Sequence, residues 1–511
     1  MRTRGLPYRL SITKAEAGKE DPPEPGAPRA APDRSAGFRL RSLAPGMVLL
    51  ALLAGCEVGP NYRRPDTGTP AAFRGQSAPD ERSLADLGWW DLYRDPVLTA
   101  LVREALTGGY DARIAAARVE QARGLALEAQ GPLWPSLGYT ANADRGRNAL
   151  LGGANPAGSG TTVGSFDGFL SAAWEPDIWG RLRRMNEAAR AQYLETEEVR
   201  RGVLLTLVGE VAVDYFQLLE LDEELAISRE AAESFGQSLS LFNRRLRGGI
   251  ASKLETSSAQ AAQAAAAARV PEIERETAVL ENRISVLLGR NSGSIARGAR
   301  LSDHAPAPEA PVGLPSALLE RRPDVRAAEY AARAANAQIG VTIGNFLPRI
   351  GLSAILGRVS ERLQSITTHR AELWSAGAQV TGPLFQGGTL RGEYIQAKAA
   401  WEEAKLQYQQ AALNAFADAA NALVARQKYT EVRAQEEIEV RAYREATAVA
   451  LERYKAGEAS YYELLQTQQQ LYPAESALAQ VRRDELASIV QLYKALGGGW
   501  NLSDPAWLEP K

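Results

Sequence analysis

RRLRGGIASKLE (244–255) and ERYKAGEASYYELLQ (452–466) are one helix reversal written twice. At an offset of 208 residues Arg245 falls on Arg453, Gly249 on Gly457, Ala251-Ser252 on Ala459-Ser460 and Glu255 on Glu463. The register runs ungapped from Gly180 to Gly289, taking in Gly180/Gly388, Leu182/Leu390, Arg183/Arg391, Ala189/Ala397, Gln260/Gln468 and Leu288-Gly289/Leu496-Gly497. Upstream, an offset of 213 aligns Asp111 and Arg113 with Asp324 and Arg326, Gly131 with Gly344, Pro135 with Pro348 and Gly138 with Gly351. The chain is therefore a tandem duplication, and the change of offset places a variable loop, longer in the first copy, between the two registers.

Each copy reads helix, strand, loop, strand, long helix, helix. Gly109 to Gly131 is rich in Ala, Arg, Glu and Leu and is closed by Gly131-Pro132, which predicts a helix. Period-2 alternation follows, with Leu137, Tyr139 and Ala141 on one face and Gly138, Thr140 and Asn142 on the other; Ile350, Leu352, Ala354 and Leu356 repeat it. Return strands run through Phe166, Gly168, Leu170, Ala172 and Trp174, and through Trp374, Ala376, Ala378 and Val380. Strands of about ten residues suit a tilted transmembrane β-strand, although a soluble sandwich would alternate as well.

The 67 residues from Arg181 to Arg247 hold no proline, and as a helix they span about 100 Å. Leu204, Val208, Val211, Tyr215 and Leu218, and in the second copy Tyr394, Ala397, Trp401, Ala404, Tyr408, Ala411 and Ala415, recur at the 3,4 spacing of coiled-coil packing. Helices 109–131 and 252–288 laid end to end give about 90 Å, which matches the long helix. Pro271 and Pro473 are expected to kink the shorter helices. Four strands cannot close a barrel, and an open edge in lipid leaves backbone groups unpaired; three subunits would supply twelve strands.

The predicted organisation is a leader and signal peptide (1–55), an N-terminal segment (56–107), a first repeat (108–289) with hairpin 135–177, long helix 181–247 and helix 252–288, a Pro-rich connector (290–320), a second repeat (321–497) with hairpin 348–383, long helix 389–456 and helix 460–496, and a tail (498–511). Residues 21–37 are Pro- and Ala-rich and read as disordered. Arg39 and Arg41 precede an apolar run, Leu43 to Gly55, too short to span a bilayer but suited to a signal-peptide core. The run ends LLAGC, which matches the bacterial lipobox, so Cys56 is expected to carry an S-diacylglycerol and an N-acyl group. Glu57 follows where an Asp commonly marks inner-membrane retention. The depth of the signal within the chain points to a translation start nearer Leu40.

The 511 residues carry 59 Lys+Arg against 61 Asp+Glu, which leaves no basic field for nucleic acid. One cysteine and two histidines exclude an intrachain disulfide and leave too few soft ligands for a structural zinc site. There is no GxxxxGK[ST] phosphate loop and no GxSxG elbow, His304 and His369 fall in the connector and a strand loop, and Gln386-Gly387-Gly388 reads as a turn before a helix. No enzyme activity and no cofactor are expected.

CEVGPNYRRP (56–65), GWWDLYRDPVLTALVREAL (88–106), LPSALLERRPDVRAAEYAARAANAQIG (314–340), GPLFQGGTLR (382–391) and LYKALGGGW (492–500) resemble the TolC-like outer-membrane factors of the OprM/NodT lipoprotein type, from Cys56 to Trp500 without a large gap. The resemblance implies an α+β membrane protein: a duplicated protomer whose four strands join a trimeric 12-stranded outer-membrane barrel and whose long helices form a periplasmic α-helical barrel. It implies a Gram-negative outer-membrane location, a homotrimer, and docking to a periplasmic adaptor (membrane fusion protein) and an inner-membrane transporter of the RND type. The expected function is a passive duct of a tripartite pump that exports small molecules such as drugs or toxic compounds. A metal-ion efflux or type I secretion duct of the same fold, and a pore-free coiled-coil scaffold, stand as alternatives.

In such a duct the two reversals form the periplasmic end and dock the adaptor, with Gly249 and Gly457 at the turns and Ser252 and Ser460 as N-caps of the returning helices. The resemblance implies a closed state held by Arg453 and Tyr454 bonded to a carboxylate on the first hairpin, at the position of Glu255. Tyr462 and Gln466 stand where relatives place a leucine and an aspartate in successive rings, and Glu458 is a nearby acidic substitute. Alternatively, Tyr462 and Gln466 serve only hairpin packing.

Overall fold

Asp95 accepts hydrogen bonds from the amides of Val97 and Leu98 and so starts α1 (Pro96–Gly108), a short helix at the head of the first repeat. After it come α2 (Tyr110–Gln130), β1 (Ser136–Arg147), β2 (Thr162–Trp174), α3 (Arg181–Arg247) and α4 (Lys253–Leu287). The second copy supplies α5 (Pro315–Arg321), α6 (Pro323–Gly344), β3 (Arg349–Ser360), β4 (Glu372–Thr381), α7 (Thr389–Ala456) and α8 (Tyr461–Ala495). The computed structural model describes residues 57–74, 76, 83–86, 88, 95–147, 162–304 and 313–499. The leader, Cys56, connector prolines Pro306, Pro308 and Pro311, and the end of the tail lie outside the described residues.

The helices pack as two antiparallel hairpins, α3 with α4 and α7 with α8, joined where α8 lies against α3. The C-terminus of α4 abuts the start of α2 so closely that a Cβ on Gly289 would fall 2.3 Å from the Gly108 carbonyl. In the second copy, Arg322 at the head of α6 donates to the Ala495 carbonyl at the end of α8 (3.2 Å). Each short pair thus runs as one pseudo-continuous column beside its long helix. Helices α4 and α8 continue as helix through Pro271 and Pro473.

The core gathers where the long helices cross the middle of the molecule. Val208, Val211, Tyr215 and Leu218 of α3 are buried there, with Leu204 packed against them. On α7 the buried seam is Ala397, Ala404, Tyr408, Ala412, Ala415 and Ala419. Ala412 replaces Ala411 of the 3,4 reading because an α-helix of 3.6 residues per turn drifts off a 3.5-residue repeat. Alanines on this seam let the backbones of α7 and its neighbours approach closely.

The four strands form one antiparallel sheet in the order β1-β2-β3-β4. Its register sets Tyr139 opposite Leu170, Leu170 opposite Leu356, and Leu356 opposite Trp374. Cross-strand partners share a face, so Leu137, Tyr139, Leu170, Leu352, Leu356, Trp374 and Val380 make one apolar face, and all are exposed. The other face mixes Thr140, Asn142, Asp167, Ser171, Ser353, Ser375 and Gln379 with Phe169, Ile355, Val359 and Leu373, with an Asn142–Asp167 hydrogen bond of 2.9 Å across it. Both edges, β1 and β4, are unpaired among the described residues.

Candidate functional site

The end of the molecule remote from the sheet is built by the two reversals. Gly249 (φ 72°) and Gly457 (φ 80°) take left-handed conformations that a side chain would strain. Around them the Ile250 amide donates to the Arg245 carbonyl and the Glu458 amide to the Arg453 carbonyl, the same closing bond 208 residues apart. The returning helices begin with capping boxes: the Ser252 side chain accepts from the Glu255 amide (3.2 Å) while Glu255 takes the Ser252 amide (2.7 Å), and Glu463 reaches back to the Ser460 amide (3.3 Å).

Behind the turns an aromatic cluster joins the hairpins. Phe242 of α3 packs on Tyr461 of α8 (centroids 4.1 Å apart) and on Tyr454 of α7 (6.3 Å). Arg245 of α3 donates to the Tyr454 hydroxyl at 2.5 Å and lies over its ring, 5.0 Å from the centroid. Burial raises the Tyr454 phenol, the Arg245 cation opposes that shift, and the nearby Glu255 charge adds to it. Tyr454 therefore stays a neutral hydroxyl that accepts from a fixed cation.

The expected Arg453–Tyr454–Glu255 link is not formed within the protomer. As the third residue of α4, Glu255 has its carboxylate held by Ser252, and Arg453 instead stands 3.6 Å from Glu463. The sequence reading missed Arg245, although the internal repeat marks it, since Arg245 is the counterpart of Arg453. Tyr462 and Gln466 are exposed together on one stripe of α8, and the packing inside the protomer falls to Tyr461, Leu464 and Leu465. Glu458 is exposed at the turn.

At the opposite end, where strands meet helices, the described chain begins. Val58 donates its amide to the Trp179 carbonyl (3.0 Å), and Arg184 binds the Val58 carbonyl and the Asn61 side chain. Trp134, Leu384 and Phe385 are exposed at this same junction, as aromatic and apolar side chains are at a membrane–water boundary. Residues 61–66 then run along the helices: Tyr62 meets Trp401 edge-on, Arg64 pairs with Glu320 and Glu329, and Gln409 binds the Asp66 carbonyl. His304 lies in a buried cluster with Asp95 (3.2 Å), whose carboxylate also accepts from Tyr215 (2.9 Å). This ties the connector to the head of α1 and the middle of α3.

An open-edged sheet with one lipid-like face, carried on helical hairpins about 100 Å long, defines an outer-membrane channel protomer. The chain belongs to the outer membrane efflux protein family, whose model matches residues 101–290 and 314–498. It is 33% identical over 468 residues to the solvent efflux pump outer membrane protein SrpC of Pseudomonas putida, covering 89% of this chain and 98% of that protein. Among solved structures it is similar to the outer-membrane channel OprN (TM-score 0.79, 32% identity, 87% and 100% of the two chains). The open-state MtrE channel of Neisseria gonorrhoeae matches with TM-score 0.79 and 28% identity over 87% and 98% of the chains. The protein is an outer-membrane efflux channel component, its strands in the membrane and its helices in the periplasm.

Proposed function

We propose that three copies form a lipid-anchored duct with twelve strands, which takes small organic molecules from a periplasmic adaptor and an RND-type transporter to the exterior. The observation that carries the reading is the sheet: one apolar exposed face, one face of mixed polarity and, among the described residues, two unpaired edges, an arrangement that lipid tolerates only when further copies close it. Lipidation of Cys56 is supported by Val58 and Asn61, whose bonds pin the start of the described chain to the strand–helix junction. The names of relatives, solvent and toluene efflux pump outer membrane proteins, support apolar small molecules as cargo. The hairpin tips dock the adaptor through the turns at Gly249–Ser252 and Gly457–Ser460. Tyr454 holds the resting state with Arg245 in the place expected of Arg453 and Glu255, and Glu458, Tyr462 and Gln466 line the constriction. The protein acts as a conduit and carries no reaction centre or cofactor.

Reconstitution in planar bilayers tests the duct. Purified protein is expected to run as a heat-modifiable trimer and to conduct ions, and a trimer without conductance would overturn the reading. Mass spectrometry of the mature N-terminus is expected to find a triacylated or diacylated Cys56.

A further inference from the structure

Ala261 to Ala268 of α4 is an almost unbroken alanine run interrupted by Gln263. Where it faces α3 and α8 the missing side-chain volume leaves a cavity of about 270 Å³, open to solvent on one side and walled by Phe235, Ala262, Ala266, Gln468 and Tyr472. Gln468 is 6% exposed, and its amide nitrogen donates to the Ser234 hydroxyl at 2.9 Å. Its amide oxygen is buried and receives no hydrogen bond from any group of the described residues. A second acceptor is released beside it. Pro473 has no N–H to give the carbonyl of Gln469, four residues earlier and also a wall residue.

We propose that this cavity is a binding site for a small neutral molecule with an apolar, ring-sized body and one hydrogen-bond donor, a phenol or comparable alcohol. The size fits, since a cavity of about 150 Å³ already accommodates benzene. A neutral occupant fits because neither charged wall residue is unpaired: Arg269 is bonded to Glu224 at 2.8 Å and to Glu272, outside the wall, at 3.0 Å. The donor answers the buried amide oxygen, which otherwise bears the penalty of an unpaired polar atom. The site belongs to one copy only, because the positions equivalent to Tyr472 and Pro473 are Ala264 and Ala265. An occupant touches α3, α4 and α8 together, about 16 Å along the helix from the turn at Gly457, and so bridges the two hairpins.

The test titrates the full-length protein in detergent with 4-fluorophenol and with fluorobenzene, its donor-free match, following fluorine NMR shifts against detergent alone. One saturable site per chain is expected, tighter for 4-fluorophenol by about fivefold, as one net hydrogen bond gives. Ala262→Leu is expected to abolish the saturable component, with Ala266→Leu as a second filling variant. Gln468→Leu, or Gln468→Met should the first fail to fold, is expected to bring the two probes within about twofold. Equal binding of both probes by the wild type, no saturable component, or full binding by a folded Ala262→Leu protein would overturn the site. The readout is binding, so a failure here is separate from any failure of the duct to conduct.

Discussion

Arg245 and Tyr454 form a direct side-chain bond between the hairpins, and the chemistry of that pair decides how each variant should behave. Tyr454→Phe removes one hydrogen bond, of about 1 kcal/mol net, and keeps the ring under the guanidinium and against Phe242. Arg245→Ala removes both the bond and the stacked cation. Single-channel recording is therefore expected to show higher conductance for Arg245→Ala than for Tyr454→Phe, and both above wild type; unchanged conductance in both would remove the pair from the gate. The tyrosine was legible from the sequence but its partner was not, because Glu255 sits in a local capping box whose use of the carboxylate appears only once the turn is built. A second group lay hidden for a related reason. Glu220 is buried on α3 among Arg483, Glu224 and Asp484, and burial pushes its carboxyl up to about 7, while Asp214 beside Arg283 is raised to about 6. An apolar seam pattern says nothing about carboxylates placed between its members. With folded-state values above the unfolded ones, these groups favour the fold below about pH 4, and that contribution is lost as pH rises through about 6 to 7. Melting temperature should therefore fall from pH 5.5 to pH 8, and Glu220→Gln should flatten that slope.

Among the elements, the strands were readable because their alternation has a single period and the register preserves it across all four. Tyr139 and Thr140 are neighbours in β1 yet point to opposite faces. Tyr139→Lys places a charge on the lipid-like face and is expected to destabilise the folded protein by about 2 to 4 kcal/mol if near the bilayer midplane, measured by urea unfolding in vesicles. Thr140→Lys on the other face is expected to leave stability close to wild type and to shift ion selectivity toward anions in bilayer reversal potentials; equal destabilisation by both would contradict the assignment of faces. The long helices were legible in existence and length, from the absence of proline and the two αL glycines. Their seams were legible only in part, since the burial of Ala412 and Ala419 on α7 depends on which neighbour each turn meets as the helix drifts past it.

For the molecule as a whole, the internal repeat predicts its own missing neighbour. Within the chain α6 packs against both α7 of its own copy and α3 of the other, and α8 likewise lies against α3. Of the two long helices, the counterparts α2 and α4 pack along that of their own copy, α3. If the repeats continue around a ring, α2 and α4 must meet α7 of the next protomer. The exposed apolar side chains on those elements fit this: Ile114, Leu125 and Leu127 on α2, and Ile395, Leu406 and Leu413 on α7. The sheet makes the same demand, because β1 must pair with β4 of the next copy for the barrel to close. Six repeats, two from each of three chains, then satisfy both layers with one rotation, which a pair of chains could not do with enough strands to enclose a channel. Leu125→Arg and Leu406→Arg alter side chains that are more than half exposed in the single chain, so neither should unfold the protomer, but each is expected to place a charge in an apolar contact between copies. Size-exclusion chromatography with light scattering should show the mass falling from three chains toward one, with helical content by circular dichroism nearly unchanged. A full-size trimer in both variants would mean that the faces left open by α2 and α7 are not where the copies meet.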